Sequence, residues 1–120
     1  MMKRGNKKNV HPGQFVGMGI DIVDICRFRK TLATRGKNFI DRIFLPSEKQ
    51  YCGAKPRPWI HYAGRFAAKE AIAKAFGTGI GKELGWLDIE ILSSDSKAPV
   101  VKLSQCAKRL ARRRRTNCLA

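Results

Sequence analysis

The stretch RFAAKEAIAKAFGTGIG, Arg65 to Gly81, constrains the fold more than any other part of this chain. It reads as an alanine-rich helix that stops at Gly77, with three glycines (Gly77, Gly79, Gly81) in five residues. At about 100° per residue, Tyr62, Phe66, Ile72, Ala73 and Phe76 gather on one side, which predicts a core-facing helix over about Ile60 to Phe76. Lys69 falls inside that apolar stripe, Glu70 and Lys74 on one edge, and Arg65 on the other. Either Lys69 snorkels and Glu70–Lys74 is a surface pair worth roughly a few tenths of a kcal/mol, or the stripe borders a polar cleft.

The segments around this helix predict one mixed α/β domain of the α+β type. VGMGIDIVDI, Val16 to Ile25, is apolar and β-branched, and predicts a buried strand. Asp24 is placed to cap a helix through ICRFRKTLAT, which Gly36 ends. Ile25, Phe28 and Leu32 share one face of it; Arg27, Lys30 and Thr34 share another. KNFIDRIF predicts a second short helix, and Ser47, after the break at Pro46, is placed to cap a third through EKQYC. The prolines of KPRP, Lys55 to Pro58, mark a loop. WLDIEIL, Trp86 to Leu92, alternates as a strand does; with the turn SSDSKAP and the strand VVKL it predicts a hairpin. A last basic helix is expected through SQCAKRLARRRR.

A chain of 120 residues is one domain. Its 25 Lys and Arg against 9 Asp and Glu give a net charge of +16, which attracts polyanions. MMKRGNKKNV and KRLARRRR carry much of that excess without an acid. The expected division is a basic disordered extension over 1–14, a folded domain over 15–104, and a basic, divergent or truncated tail over 105–120. The tail would hold nucleic acid only non-specifically, since few aromatics stand beside its arginines. Cys26, Cys52, Cys106 and Cys118 have no CxxC spacing, which argues against zinc and fits a reducing cytoplasm. No apolar run approaches the ~18 residues of a membrane span, and no apolar stretch follows the basic start as in a signal peptide.

Asp21 lies inside GIDIVDI, where a lone buried carboxylate is costly unless it is paired or bound to a cation. A turn or capping role is the alternative, but Asp24 is the better cap. Asp21 and Glu70, from separate elements, suit Mg²⁺, which takes one or two carboxylates and completes its shell with water and substrate phosphate. A glycine loop lets backbone N–H groups approach phosphate, and Arg65, Lys74, Arg57 and Lys55 supply cations. Together these point to a magnesium site for a multiply phosphorylated ligand.

GIDIVDI and, some forty residues later, RFAAKEAIAKAFGTGIG resemble the bacterial holo-[acyl-carrier-protein] synthases of the 4′-phosphopantetheinyl transferase superfamily, over about Val16 to Leu103. WLDIEIL and its hairpin also fit, although Lys97-Ala98-Pro99 stands where the family more often has Gly-Lys-Pro. The resemblance implies one long helix packed on a small mixed sheet. It implies magnesium-dependent transfer of 4′-phosphopantetheine from coenzyme A to a serine of apo acyl carrier protein, in support of fatty acid biosynthesis. By it, Asp21 and Glu70 are metal ligands, Glu70 and Lys74 are catalytic, and Lys74 also meets the pyrophosphate. Arg57, Arg65, Gly77, Thr78, Gly79 and Gly81 bind the cofactor; Arg27 and Lys30 dock the carrier protein. It further implies a homotrimer with active sites between subunits. The family continues past the hairpin with a strand bearing a Ser-His motif and a last Ala- and Val-rich strand, whereas here the sequence reads SQCAKRLARRRRTNCLA. The expectation is therefore that those C-terminal strands are lacking. The second reading that follows is a truncated, inactive member that binds carrier protein or nucleic acid at most.

Overall fold

The structure, a computed structural model, describes residues 24–94 and 97–119. The expected strand over Val16 to Ile25 lies outside them except for its last two positions, and Asp21 lies outside them altogether. Four helices and a hairpin follow: α1 (Ile25–Ile43), α2 (Pro46–Gly53), α3 (Pro58–Ala75), β1 (Ile89–Ser94), β2 (Lys97–Leu103) and α4 (Gln105–Leu119). Among the described residues the sheet is two-stranded and antiparallel, pairing Ile89 with Leu103 and Ile91 with Val101, with an irregularity between Leu92 and Ser94.

Local chemistry sets the helix ends. Asp24 caps α1, its Oδ1 accepting from the Arg27 N–H at 3.1 Å. Ile25 is therefore the first helical residue and not the end of a strand. Gly36 leaves helical geometry, at φ 61° and ψ −141°, so α1 is two helical segments that meet at a kink there, the first ending at Gly36 and the second running through KNFIDRIF as the sequence predicts. That backbone conformation is open essentially only to glycine. Pro46 opens α2, where its missing N–H is no loss. Ser47 is not the cap of α2: the Glu48 carboxylate takes the Leu45 N–H at 2.8 Å, while the Ser47 hydroxyl donates to Glu90 on β1.

The first three residues of WLDIEIL form a 3-10 turn, Trp86–Asp88, and the strand starts at Ile89. Asp88 causes this. Its carboxylate accepts from the Gly85 N–H at 2.8 Å and from the Ser104 hydroxyl at 2.6 Å, which a strand residue could not do together. Ser104 in turn caps α4 by accepting from the Ala107 N–H at 3.1 Å.

The core has two parts joined by α3. Phe28, Ile43, Phe44, Cys52, Tyr62 and Ala63 form one, with Phe66 and Trp86 stacked at its border, ring centroids 4.9 Å apart. Ala73, Phe76, Leu84, Ile89, Ile91, Ala107 and Leu110 form the other. The basic helix expected through SQCAKRLARRRR is present as α4, but the segment is no mere tail from residue 105, because it buries Ala107 and Leu110 in the core. Its arginines hid the apolar positions at i and i+3 that make it part of the fold.

Replacing Gly36 by alanine tests the kink. No atom lies within 4 Å of the added Cβ, so the backbone alone resists it. The expected loss in urea unfolding is about 1–3 kcal/mol, and an unchanged midpoint contradicts this conformation.

Candidate functional site

Lys69 does not snorkel. Its side chain is completely buried, on the face of α3 between the two parts of the core. The ammonium donates to the Glu48 carboxylate at 2.7 Å, to the Ile43 carbonyl at 2.7 Å and to the Trp86 carbonyl at 3.1 Å. All three protons are thereby used. The Ile43 carbonyl belongs to the last turn of α1, where carbonyls lack helical partners and a cation is favourable. Glu48, equally buried, also accepts the Leu45 N–H at 2.8 Å and the Ile91 N–H at 2.9 Å. One ion pair therefore ties α1, α2, α3, the 3-10 turn and β1. Burial lowers the Lys69 pKa, and the Glu48 carboxylate opposes that shift. Removing either partner alone strands the other charge in the interior, which costs about 3–5 kcal/mol.

With Lys69 anchored, Glu70 is half-buried and Lys74 is exposed one turn later. The glycine loop begins just beyond. Gly77 has φ 83° and Gly79 φ 65°. The Gly77 N–H donates to the Lys74 carbonyl at 2.9 Å and the Gly79 N–H to the Ala73 carbonyl at 3.0 Å, so both are spent closing the helix. The Thr78 hydroxyl donates to the Gly79 carbonyl at 2.8 Å, and the Gly81 N–H to the Leu84 carbonyl at 2.8 Å. Along α3, Glu70 thus lies about two turns and Lys74 less than one turn before the loop over residues 77–81.

Arg57 lies exposed at the start of α3 and Arg65 near its middle, five residues or about 7.5 Å of helical rise before Glu70. Twelve residues separate Arg65 from Gly77, about 18 Å at helical rise. Arg65 is buried: it donates to the Ser93 hydroxyl at 2.7 Å and lies over the Tyr51 ring at 4.5 Å. Its Nε has no hydrogen-bond partner among the described residues. Arg27 and Lys30 are exposed on α1 as their spacing predicts. Asp21 falls outside the described residues, and among those no three His, Cys, Asp or Glu side chains gather as a metal centre.

Two residues of this region were not anticipated. Glu48 had a sequence signal, a carboxylate three positions after Leu45 behind a helix-opening proline. Arg114 had none, because it stood in an apparent tail. A Cβ at Gly77 would lie 3.7 Å from its Nη1, and its Nη2 is 3.9 Å from the Glu83 carboxylate. The C-terminal helix thus packs an arginine against the glycine loop.

The region offers a carboxylate, a lysine one turn on and a nearby arginine, but the Gly77, Gly79 and Gly81 N–H groups are bonded to the Lys74, Ala73 and Leu84 carbonyls and do not face phosphate as the loop's sequence predicts. Comparison with known proteins identifies the family. The sequence model of the 4′-phosphopantetheinyl transferase superfamily matches residues 17–117. The holo-[acyl-carrier-protein] synthase of Chlamydia felis is 48% identical over 90 residues, covering 75% of this chain and 73% of that protein. The crystal structure of the Helicobacter pylori holo-[acyl-carrier-protein] synthase in complex with coenzyme A aligns with TM-score 0.69 and 41% identity, covering 78% of this chain and 79% of that one. The Bacillus anthracis enzyme, in complex with coenzyme A (3′,5′-ADP), aligns with TM-score 0.66 and 44% identity, covering 75% and 76%. The chain belongs to the 4′-phosphopantetheinyl transferase superfamily and, within it, to the holo-[acyl-carrier-protein] synthases.

Cys52, in the part of the core beside Arg65, gives a pH-dependent test. It is fully buried, and desolvation raises its pKa from 9.0 to about 11 despite the nearby Arg65 cation. Raised above the unfolded value, it adds stability below pH 9.0 that is lost as pH rises toward about 11. At pH 8, iodoacetamide should alkylate the exposed Cys26 and Cys106 and leave Cys52 unmodified in peptide mass maps. Labelling of Cys52 at the rate of Cys106 contradicts its burial.

Proposed function

We propose that this protein transfers the 4′-phosphopantetheine group of coenzyme A to a serine hydroxyl of apo acyl carrier protein. The reading rests on family membership together with one observation: Lys74 follows Glu70 by one helical turn on α3 and immediately precedes the glycine loop that ends the helix. In the reaction the serine oxygen forms a new bond to the phosphorus that carries pantetheine. The bond from that phosphorus to the bridging oxygen of the pyrophosphate breaks, and adenosine 3′,5′-bisphosphate leaves. Glu70 takes the serine proton, directly or through one water. Lys74 offers a positive charge to the leaving phosphate, where negative charge builds up.

Asp21 and Glu70 are the residues we propose for Mg²⁺. The half-buried Glu70 carboxylate fits a hard cation, and the small number of protein ligands fits an ion that keeps water and phosphate in its shell. When bound, the ion would neutralise and orient the pyrophosphate. Thr78, Gly79 and Gly81 form the loop wall beside the phosphates, with Gly77 closing the helix. Arg57 and Arg65 are proposed for the nucleotide end of coenzyme A, some distance along α3. Arg27 and Lys30 present cations that steer an acidic carrier protein, an attraction that salt weakens.

The assembly we propose is a homotrimer. Leu92 and Val100, paired across the hairpin, and Val101 are exposed apolar side chains that a second copy would cover. Among the described residues no helix is long and apolar enough to cross a membrane, in keeping with work in the cytoplasm.

Incubation with apo carrier protein, coenzyme A and Mg²⁺, followed by mass spectrometry of the carrier protein, should show the phosphopantetheine mass gain. Glu70→Ala should abolish that gain while the circular dichroism spectrum stays native. No gain from folded protein at any enzyme concentration overturns the reading, and favours a non-catalytic carrier-protein-binding member instead.

A further inference from the structure

Beside the glycine loop, a cavity of about 450 Å³ lies between α4 and the loop before the 3-10 turn. Its lining is Cys106, Arg109, Arg112 and Arg113 from α4, with Glu83 on the opposite lip. Arg109 and Arg113 are exposed and one helical turn apart, about 6 Å along the axis. Glu83, the only acid in the lining among the described residues, lies 3.9 Å from Arg114, and Arg109 and Arg113 carry exposed positive charge along the α4 wall. The Arg109 guanidinium donates to the Cys106 sulfur at 3.4 Å, which holds it along the α4 wall. α4 itself contains no acid, and the buried Ala107 and Leu110 fix which of its faces is turned outward.

We propose that this groove binds the sugar-phosphate backbone of nucleic acid. Guanidinium groups match phosphate oxygens bidentately. They match carboxylates as well, but a protein partner would need apolar anchors, and the lining offers no aliphatic or aromatic side chain. A phosphate backbone needs none. The same lack of aromatic surfaces means that bases are not stacked, so binding is independent of sequence. Unlike diffuse attraction to a net charge of +16, this contact is local: its energy resides in particular arginines of one helix face. The groove does not draw on Glu70, Lys74 or the glycine loop, so it stands whether or not the transferase reading holds.

The test uses a fluorescein-labelled oligouridylate of about 20 nucleotides and anisotropy on the full chain. Two phosphate contacts on a single strand, from Arg109 and Arg113, predict that affinity falls about 7-fold between 50 and 200 mM salt. Arg109→Gln/Arg113→Gln should weaken binding on the order of tenfold and flatten the salt dependence by about 0.7 per arginine. Lys7→Gln/Lys8→Gln removes the same charge elsewhere and should change affinity much less. Equal losses in the two double variants, or no loss in the groove variant, overturn the proposal. A groove variant that keeps oligouridylate affinity but loses apo carrier protein binding overturns it in favour of an acidic protein partner. Because Arg109 and Arg113 are exposed, both variants should keep native circular dichroism and, if the chain is a transferase, its transfer rate.

Discussion

The ion pair between Lys69 and Glu48 is the point on which the rest of this structure turns. Two charges with no solvent contact are unfavourable in a protein interior unless their remaining hydrogen-bonding capacity is met. Here it is met by backbone: the Ile43 and Trp86 carbonyls on the lysine, the Leu45 and Ile91 N–H groups on the glutamate. Each of those groups sits at a place where secondary structure leaves a partner missing, at a helix end, a cap, a turn or a strand. The pair specifies one arrangement of five segments, because any other arrangement would strand a charge or a backbone group. Apolar packing alone could tolerate a rotated α3; this polar set cannot.

The consequence for function follows from helical geometry. With Lys69 pointed into the interior, its sequence neighbour Glu70 is turned to the border of the core and Lys74 to solvent. The same helix then ends in Gly77, whose positive φ redirects the chain into the loop that Arg114 packs against. The structural half of the motif and the proposed chemical half are thus adjacent residues of one helix, and they could not be exchanged. Arg65 shows the same economy further back on α3, where it stands over Tyr51 and bonds Ser93 in the seam between helices and hairpin.

Much of this was legible in the chain. The long helix, its end near Gly77, the Asp24 cap and the hairpin were all readable, because each rests on local periodicity or turn chemistry. What was not legible depended on contacts between distant segments. The place of Lys69 inside the apolar stripe was readable, but nothing local marks its partner 21 residues earlier. Ser47 was the obvious helix cap until Glu90, 43 residues away, competed for its hydroxyl. Asp88 converted the start of an alternating strand into a turn because Ser104 stood opposite. The charge of α4 masked its two core residues, since periodicity is hard to see when only Ala107 and Leu110 carry it. The family resemblance implies roles for Glu70 and Lys74 that local chemistry leaves open, but it gave Lys69 none.

A double-mutant cycle on the buried pair is the most direct measurement of this account. Urea unfolding would be followed for Glu48→Leu, Lys69→Met and the double variant, each removing a charge while keeping a side chain of similar bulk. The account predicts that each single change is severely destabilising, while the double variant loses less than their sum by about 2–3 kcal/mol. Losses that add to within about 0.5 kcal/mol would mean that the two charges act independently, and would contradict the role given to the pair.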